Sequence, residues 1–499
     1  MSLRGADVLA TADAVVADGA LPEVAAARLP EGVEVLDASG MSPAETGKTV
    51  LATARAGKNV VRLVSGDPFV GAGAADELDA CLRAKVPYDV VPGVSSLTGV
   101  AAYAGIPLHS AKGCQAVTLV AAPEDSSLDW SVLTAGARTL VMPATSVNIG
   151  KIAAKLVESG CGGDTPVSLT WSGARAQQVT LVSTLDTVDA EAGSANRPGD
   201  AVAVVGEAVK ARSKYSWFES RPLFGWRVLV PRTKDQASSL VEQLHGYGAV
   251  PVEVPTIAVE PPRTPAPMDR AIRGLVSGRY QWVAFTSVNA VRAVREKLEE
   301  LGLDARAFAG VKVAAVGEAT AAALVEFGVR PELVPGGEQS SEGLLAEWPD
   351  YDDVLDPIDR VFLPRADIAT ETLVAGLKER GWAVDDVTAY RTVRAAPPPA
   401  ETRDAIKAGG FDAVLFTSSS TVRNLVGIAG KPHATTIIAV IGPQTRATAE
   451  ELGLRVDVQA PTPSVSVLAE ALAEFATQRR ADGELARPSA RAPRAKRAR

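Results

Sequence analysis

The sequence has 499 residues, 46% of them hydrophobic, 22% charged and 5% aromatic. That is enough apolar material for several cores, and it excludes both a small cross-linked scaffold and a wholly disordered chain. The formal charge of −8 is uneven: the last 21 residues, from Arg479, hold eight Arg or Lys against two acids, so the body before them carries −14.

An acidic body argues against nucleic acid as the main partner. No run of about 18 apolar residues offers a membrane span, and the opening MSLRGADVLATADAVVADG lacks the apolar centre of a signal peptide, so a cytoplasmic protein is expected. The Ala, Pro and Arg content of residues 477–499 predicts a disordered basic tail. Cys81, Cys114 and Cys161 form no CxxC pair, and His109, His245 and His433 are isolated, so no disulfide, metal site or His-based triad is expected.

In chain order, the apolar runs NVVRLVSGDP, YDVVPG, AVTLVAA, RTLVMPA, TPVSLTW and DAVAVVGEA predict strands, separated by helices such as SVNIGKIAAKLVESG, and give an α/β domain over residues 1–212. A join, SKYSWFESRPLFGW, covers residues 213–226. The second half then repeats itself in three pieces. RVLVPRTKDQASSLVEQLHGYGAVPVEV from Arg227 matches RVFLPRADIATETLVAGLKERGWAVDDV from Arg360, with Arg232/Arg365 and Gly248/Gly381 133 apart. WVAFTSVNAVRAV from Trp282 matches AVLFTSSSTVRNLV from Ala413, with Ser287/Ser418 131 apart, and VAAVGEATAAALVEFG matches IAVIGPQTRATAEELG, with Gly317/Gly442 and Thr320/Thr445 125 apart. Each piece reads as an apolar strand, a polar turn and a helix. Three per half predict two parallel-sheet α/β lobes of related design.

Ligands of such sheets bind at the carboxyl ends of the strands, where helix N-termini expose N–H groups. Thr286, Ser287 and Asn289 in one lobe, and Thr417, Ser418 and Ser420 in the other, lie in those turns. Each also serves as a plain helix cap, but their recurrence beside Gly317, Thr320, Gly442 and Thr445 predicts an anion-receptive cleft. Arg232 and Arg365, each ending its first strand, are candidates to grip carboxylates or to form surface ion pairs. No GxxxxGK[ST], GxGxxG or nucleophile–base pair is present. From the residues alone, the prediction is a clamp for a polyanionic small molecule, with the reaction left open.

Through LVPRTKDQASSLVEQLHGYGA, AFTSVNAVRAV, AAVGEAT, DVTAYRT, VLFTSSSTV and IGPQT, in that order, residues 222–474 resemble uroporphyrinogen-III synthase. The resemblance implies cyclisation of hydroxymethylbilane to uroporphyrinogen III, with loss of water and inversion of ring D, without a cofactor. It implies Tyr390 as the acid or hydrogen-bond donor for the departing hydroxyl, and the polar turns as carboxylate ligands. It also implies one lobe from residues 227–257 plus 393–474 and an inserted lobe from residues 258–392.

Residues 2–212 resemble the tetrapyrrole methylases, in particular uroporphyrinogen-III C-methyltransferase, through VRLVSGDPF, VVPGVSSLTGVAAYAGIPL and TPVSLTWSGARAQQVTLVSTL. This implies S-adenosylmethionine as cofactor near Gly66, Asp67, Pro92, Ser95, Ser96 and Gly173, a functional aspartate at Asp18 and a homodimer through this lobe. The family's opening strand and GxGPGDP turn are not in the sequence, Val64 replaces a basic residue, VGAGAADEL replaces an arginine-bearing loop, and Pro143, Ala144 and Thr145 stand where the family has Tyr-Met-Gly. The expectation is a truncated, degenerate methylase lobe. A binding or sensing protein for tetrapyrroles is the non-enzymatic alternative.

Overall fold

The computed structural model describes residues 1–70, 74–109, 114–231 and 234–483, without the side chains of residues 234–238. By its contacts the chain divides into two units, residues 1–227 with 241–251 and the chain from Ala469, and residues 228–240 with 252–468.

In the first unit the strands Glu34–Asp37, Ala14–Ala17 and Val60–Leu63 form a parallel sheet in that order. A five-stranded mixed sheet follows, ordered Ala116–Leu119, Arg138–Thr145, Asp200–Val205, Pro166–Trp171 and Val179–Thr184. The run YDVVPG, expected as a strand, is a loop instead. Pro87 and Pro92 bracket it and remove the N–H donors that a ladder needs there. The join at residues 213–226 is packed rather than loose: Phe218, Leu223, Phe224 and Trp226 are buried, and Glu219 accepts from Arg212, Gln178 and Thr180 at 2.7–2.8 Å. The basic tail also starts later than expected, because the Val465–Ala481 helix runs through residues 477–481, with Arg480 Nη2 donating to Pro222 O at 2.8 Å. An amphipathic run that buries Leu472, Ala473 and Ala476 outweighs the charge of Arg479 and Arg480 at its end. Residues 484–499 lie outside the described residues.

The repeated half makes two sheets. One orders Val250–Glu253, Arg227–Val230, Ala413–Phe416, Ile437–Val440 and Val458–Gln459. The other orders Ile257–Glu260, Ala383–Arg394, Arg360–Ala366, Trp282–Phe285 and Lys312–Ala315. The repeat extends to the register: Ala413 pairs Val228 and Ile437 as Trp282 pairs Val361 and Lys312. Even the bridge of Ala439 to Val458 recurs as Ala314 to Leu333. The central strands are buried at every position, as parallel strands covered on both faces must be.

At the amino ends of the second sheet's strands, Tyr280 OH donates to Asp385 Oδ2 at 2.8 Å, and Arg279 and Arg360 flank that carboxylate at 3.1 and 3.2 Å. Burial, and then the Asp385 carboxylate, push the phenol well above its ordinary value of 10.0. A group raised in the folded state contributes stability that is complete below the unfolded value and is lost as pH rises through the folded one. Wild-type stability is therefore expected to fall with pH above 10, the phenol's ordinary value, and Tyr280→Phe to show a smaller alkaline decline. Urea unfolding between pH 8 and 11 checks this.

Candidate functional site

The polar turns of the repeat sit at the carboxyl ends of the two sheets, each opening a helix. Ser287 caps Val288–Glu300 in extended backbone, its Oγ accepting the Ala290 N–H at 3.2 Å. Ser418 caps Ser419–Ala429 through the Thr421 N–H at 3.2 Å, with a capping box closed by Thr421, and shares a 2.9 Å hydrogen bond with Ser420. Gly317 and Gly442 occupy the cap positions of Glu318–Phe327 and Pro443–Glu451 without a side-chain cap.

The capping function thus holds for both serines. Other groups on the same turns are left over. Thr286, Asn289 and Thr417 are half-buried, Thr320 and Thr445 are 5% and 4% exposed, and none of these side chains is hydrogen-bonded to a described residue.

Tyr390 joins this rim. Its ring is 7% exposed in the core around Phe285 and Phe362, while its hydroxyl meets Ser287 Oγ at 3.0 Å. The strand would not deliver it there by simple alternation. Between Arg365 and Ala366 the register with the neighbouring strand shifts, Arg365 facing Thr388 and Ala366 facing Tyr390. Ala389 is the extra residue of this bulge, so Ala389 and Tyr390 are buried in succession. No sequence signal marked the bulge.

Of the two roles left open for Arg365, carboxylate ligand or ion pair, the structure shows an ion pair, and a buried one instead of a surface one. It is 5% exposed, and its guanidinium grips Asp386, with Nε to Oδ1 at 2.6 Å, and also bonds Glu371 Oε1 at 2.8 Å and the Thr370 carbonyl. The Asp386 contact, ahead of the cost of burial, holds the guanidinium above its ordinary value. A buried guanidinium must have its charge met inside the protein, and here Asp386 and Glu371 meet it. Arg232 lies outside the described residues. A residue that sequence reasoning missed is Gln339, whose Oε1 accepts the Glu318 N–H at 3.2 Å, above the Gly317 turn.

In the first unit the structure brings together the other expected set. Gly66 adopts φ +86°, and a β-carbon on Gly93 would lie 2.1 Å from the Gly66 carbonyl, so the GDP turn and the PGVSS loop touch backbone to backbone. Asp67 accepts from the N–H groups of Gly93 and Phe69 at 3.1 and 2.9 Å, and Ser95 caps Ser96–Tyr103. Pro92 accepts at its carbonyl from Ser2 Oγ at 3.2 Å, Ser96 is exposed, and Gly173 packs against Val100. Asp18 is held by Arg62 Nη2 at 2.9 and 3.0 Å, and Glu77 takes the same guanidinium. The carboxylates of Asp18 and Asp67 and the hydroxyl of Ser95 thus each accept hydrogen bonds within the protein.

Breaking the Arg365 pair tests its structural role. Arg365→Met leaves Asp386 without its partner and is expected to cost about 3 kcal/mol, read as a lowered urea midpoint with the rim of helix caps intact.

Residues 238–470 match the family model of uroporphyrinogen-III synthase, and residues 1–189 match that of the tetrapyrrole (corrin/porphyrin) methylases. A porphyrin biosynthesis protein HemD of Ruminiclostridium josui is 29% identical over 469 residues, covering 91% of each chain. A siroheme synthase of Klebsiella pneumoniae is 38% identical over 178 residues, 35% of this chain and 37% of that relative's length. A solved uroporphyrinogen III synthase of Thermus thermophilus aligns over 51% of this chain and 99% of its own, at 22% identity and a TM-score of 0.34. In chain order, the protein is thus similar to the tetrapyrrole methylases over residues 1–189 and to the uroporphyrinogen-III synthases over residues 238–470.

Proposed function

We propose that the repeated half of the chain cyclises hydroxymethylbilane to uroporphyrinogen III, and that the Tyr390 hydroxyl serves the departing oxygen. The observation that carries the reading is the bond between Tyr390 OH and Ser287 Oγ at the carboxyl rim of the second sheet, inside the segment matched by the synthase family. The substrate's hydroxyl leaves as water, and its carbon–oxygen bond breaks more easily when a donor supplies a proton to that oxygen. A phenol held between an apolar core and a helix cap is fixed in position for that donation, and the N–H capped by Ser287 keeps the serine oxygen in place. The groups at Thr286, Asn289, Thr320, Thr417 and Thr445, without side-chain partners among the described residues, supply hydrogen bonds to the substrate's carboxylates, with the helix N-termini behind them. Few charged side chains are needed, because the clamp's task is to fold the bilane and keep water from the reactive azafulvene left by the hydroxyl.

The setting is the cytoplasm. Cys81, Cys114 and Cys161 are free thiols, and among the described residues no helix is long and apolar enough to cross a membrane.

A second activity is favoured by one observation, the contact of the GDP turn with the PGVSS loop within the segment matched by the methylase family. On that reading the N-terminal lobe takes S-adenosylmethionine and methylates the synthase's product, whose local concentration the shared chain raises. The bonded state of Asp18, Asp67 and Ser95 weighs on the other side and favours a scaffold.

Two measurements follow. Tyr390→Phe is expected to lower kcat about tenfold while keeping the fold, since the ring stays in the core. Ser287→Ala should cost less, and the double variant little more than Tyr390→Phe, because the two hydroxyls share one bond. An unchanged kcat in Tyr390→Phe removes the phenol from the mechanism. Supplying hydroxymethylbilane with and without S-adenosylmethionine, and separating the oxidised products by isomer and mass, tests both lobes. Isomer III alone is the outcome expected of a synthase on a scaffold. Added methylated products establish the second activity, and isomer I alone refutes the synthase reading.

A further inference from the structure

The phenol reaches the rim because the Ala383–Arg394 strand carries one extra residue opposite its neighbour, where Arg365 faces Thr388 and Ala366 faces Tyr390. Successive side chains of a strand point to opposite faces, so a slip of one residue there would turn Tyr390 away and bring a neighbour into its place. The register just past Tyr390 must therefore be held.

At that point the partner strand is leaving the sheet. The Arg360–Ala366 strand ends, and Asp367 and Ile368 form a turn. The Asp367 N–H still donates to Tyr390 O at 3.2 Å. In a parallel ladder, a residue whose N–H donates to one carbonyl accepts, at its own carbonyl, the N–H two residues farther along the partner. Here that donor is Thr392, and its N–H goes instead to the Asp367 side chain, at 3.2 Å from Oδ1. The carboxylate stands in for the main-chain acceptor at the place where the chain turns away, so Asp367 clasps the strand at Tyr390 and again at Thr392. Arg391, between them, is held from the other side, its Nε donating to Pro261 O at 3.2 Å and its Nη2 to Glu260 Oε2 at 2.6 Å.

We propose that Asp367 is a positioning residue for the cyclisation: by accepting the Thr392 N–H it fixes the register that points the Tyr390 hydroxyl at Ser287 and the rim. This rests on the reading of Tyr390 as the donor to the departing oxygen. Asp367 is exposed on its turn, so what it supplies is an acceptor and not a buried charge. The Arg391 contacts keep the strand in its sheet without it, so its loss loosens the phenol and leaves the lobe folded.

The test uses the full chain with Asp367→Ala and Asp367→Asn, alone and combined with Tyr390→Phe, assayed on hydroxymethylbilane. Asp367→Ala is expected to lower kcat about three- to tenfold with KM kept, because the substrate's carboxylates are bound elsewhere on the rim. Asp367→Asn restores kcat, since a carboxamide oxygen accepts the same N–H. Beside Tyr390→Phe, Asp367→Ala adds nothing further, because the group it positions is gone. A wild-type kcat in Asp367→Ala overturns the proposal. So does a loss of the same factor in the Tyr390→Phe background, which a general loosening of the lobe would give. Failure of Asp367→Asn to restore kcat overturns it as well, by making the charge and not the acceptor the active feature. If Asp367→Ala does not fold, Asp367→Leu, which fills the place without an acceptor, is judged by the same outcomes. If the wild-type chain forms no isomer III, or Tyr390→Phe keeps its kcat, the reading beneath the inference fails by itself. Nitration of Tyr390 by tetranitromethane, read by peptide mass, then decides whether Asp367 holds the phenol. Faster nitration in Asp367→Ala than in the wild type supports it, and an equal rate refutes it.

Discussion

A parallel strand buried on both faces can leave its sheet only through a turn, and the helix that follows begins with N–H groups that have no partner in the helix. The polar turns of the repeated half are arranged around that constraint. Ser287 and Ser418 answer it with their own oxygens, and Gln339 answers it at Gly317 from a neighbouring loop. A rim of caps is therefore a consequence of the fold and needs no ligand to explain it. What distinguishes a site from a row of caps is the remainder: hydroxyls and amides on the same turns that the fold does not use, and a phenol that one strand irregularity turns onto the rim.

The repeat made the lobes legible because it carries the strand, the turn and the helix in one unit of sequence. Val228 with Ala413 and Val361 with Trp282 pair as two copies of one design should. The Ser-containing turns were legible for the same reason, since a serine at a strand-to-helix turn caps whatever else it does. The extra residue at Ala389 was not, because a bulge is decided by how two strands settle against each other and not by either alone. Nor was the fate of Arg365, since Asp386 and Glu371 are ordinary exposed-looking acids in the sequence. Gln339 escaped because the repeat aligns it with a proline, and a comparison that looks for sameness passes over the position where the copies differ.

Arg62 and Arg365 teach one lesson in two sheets. Each is an arginine on a strand near a turn, the place where a ligand for an acidic substrate is looked for, and each is instead closed by two carboxylates of the protein. Removing a guanidinium from water costs more than one exposed contact returns, so a strand arginine is paired before it is available to anything else.

Asymmetry is the last requirement, and the fold meets it by breaking its own repeat. The count that places Tyr390 in one lobe places Ile257 in the other, where the chain leaves the first sheet to pair antiparallel with the Tyr390 strand, Ile257 facing Arg394. The crossover thus occupies the position of a second phenol. A duplicated clamp with two phenols would offer a proton at both ends of a bilane that carries one hydroxyl. Because the duplication is spoiled at the crossover, one lobe carries the phenol and the other does not.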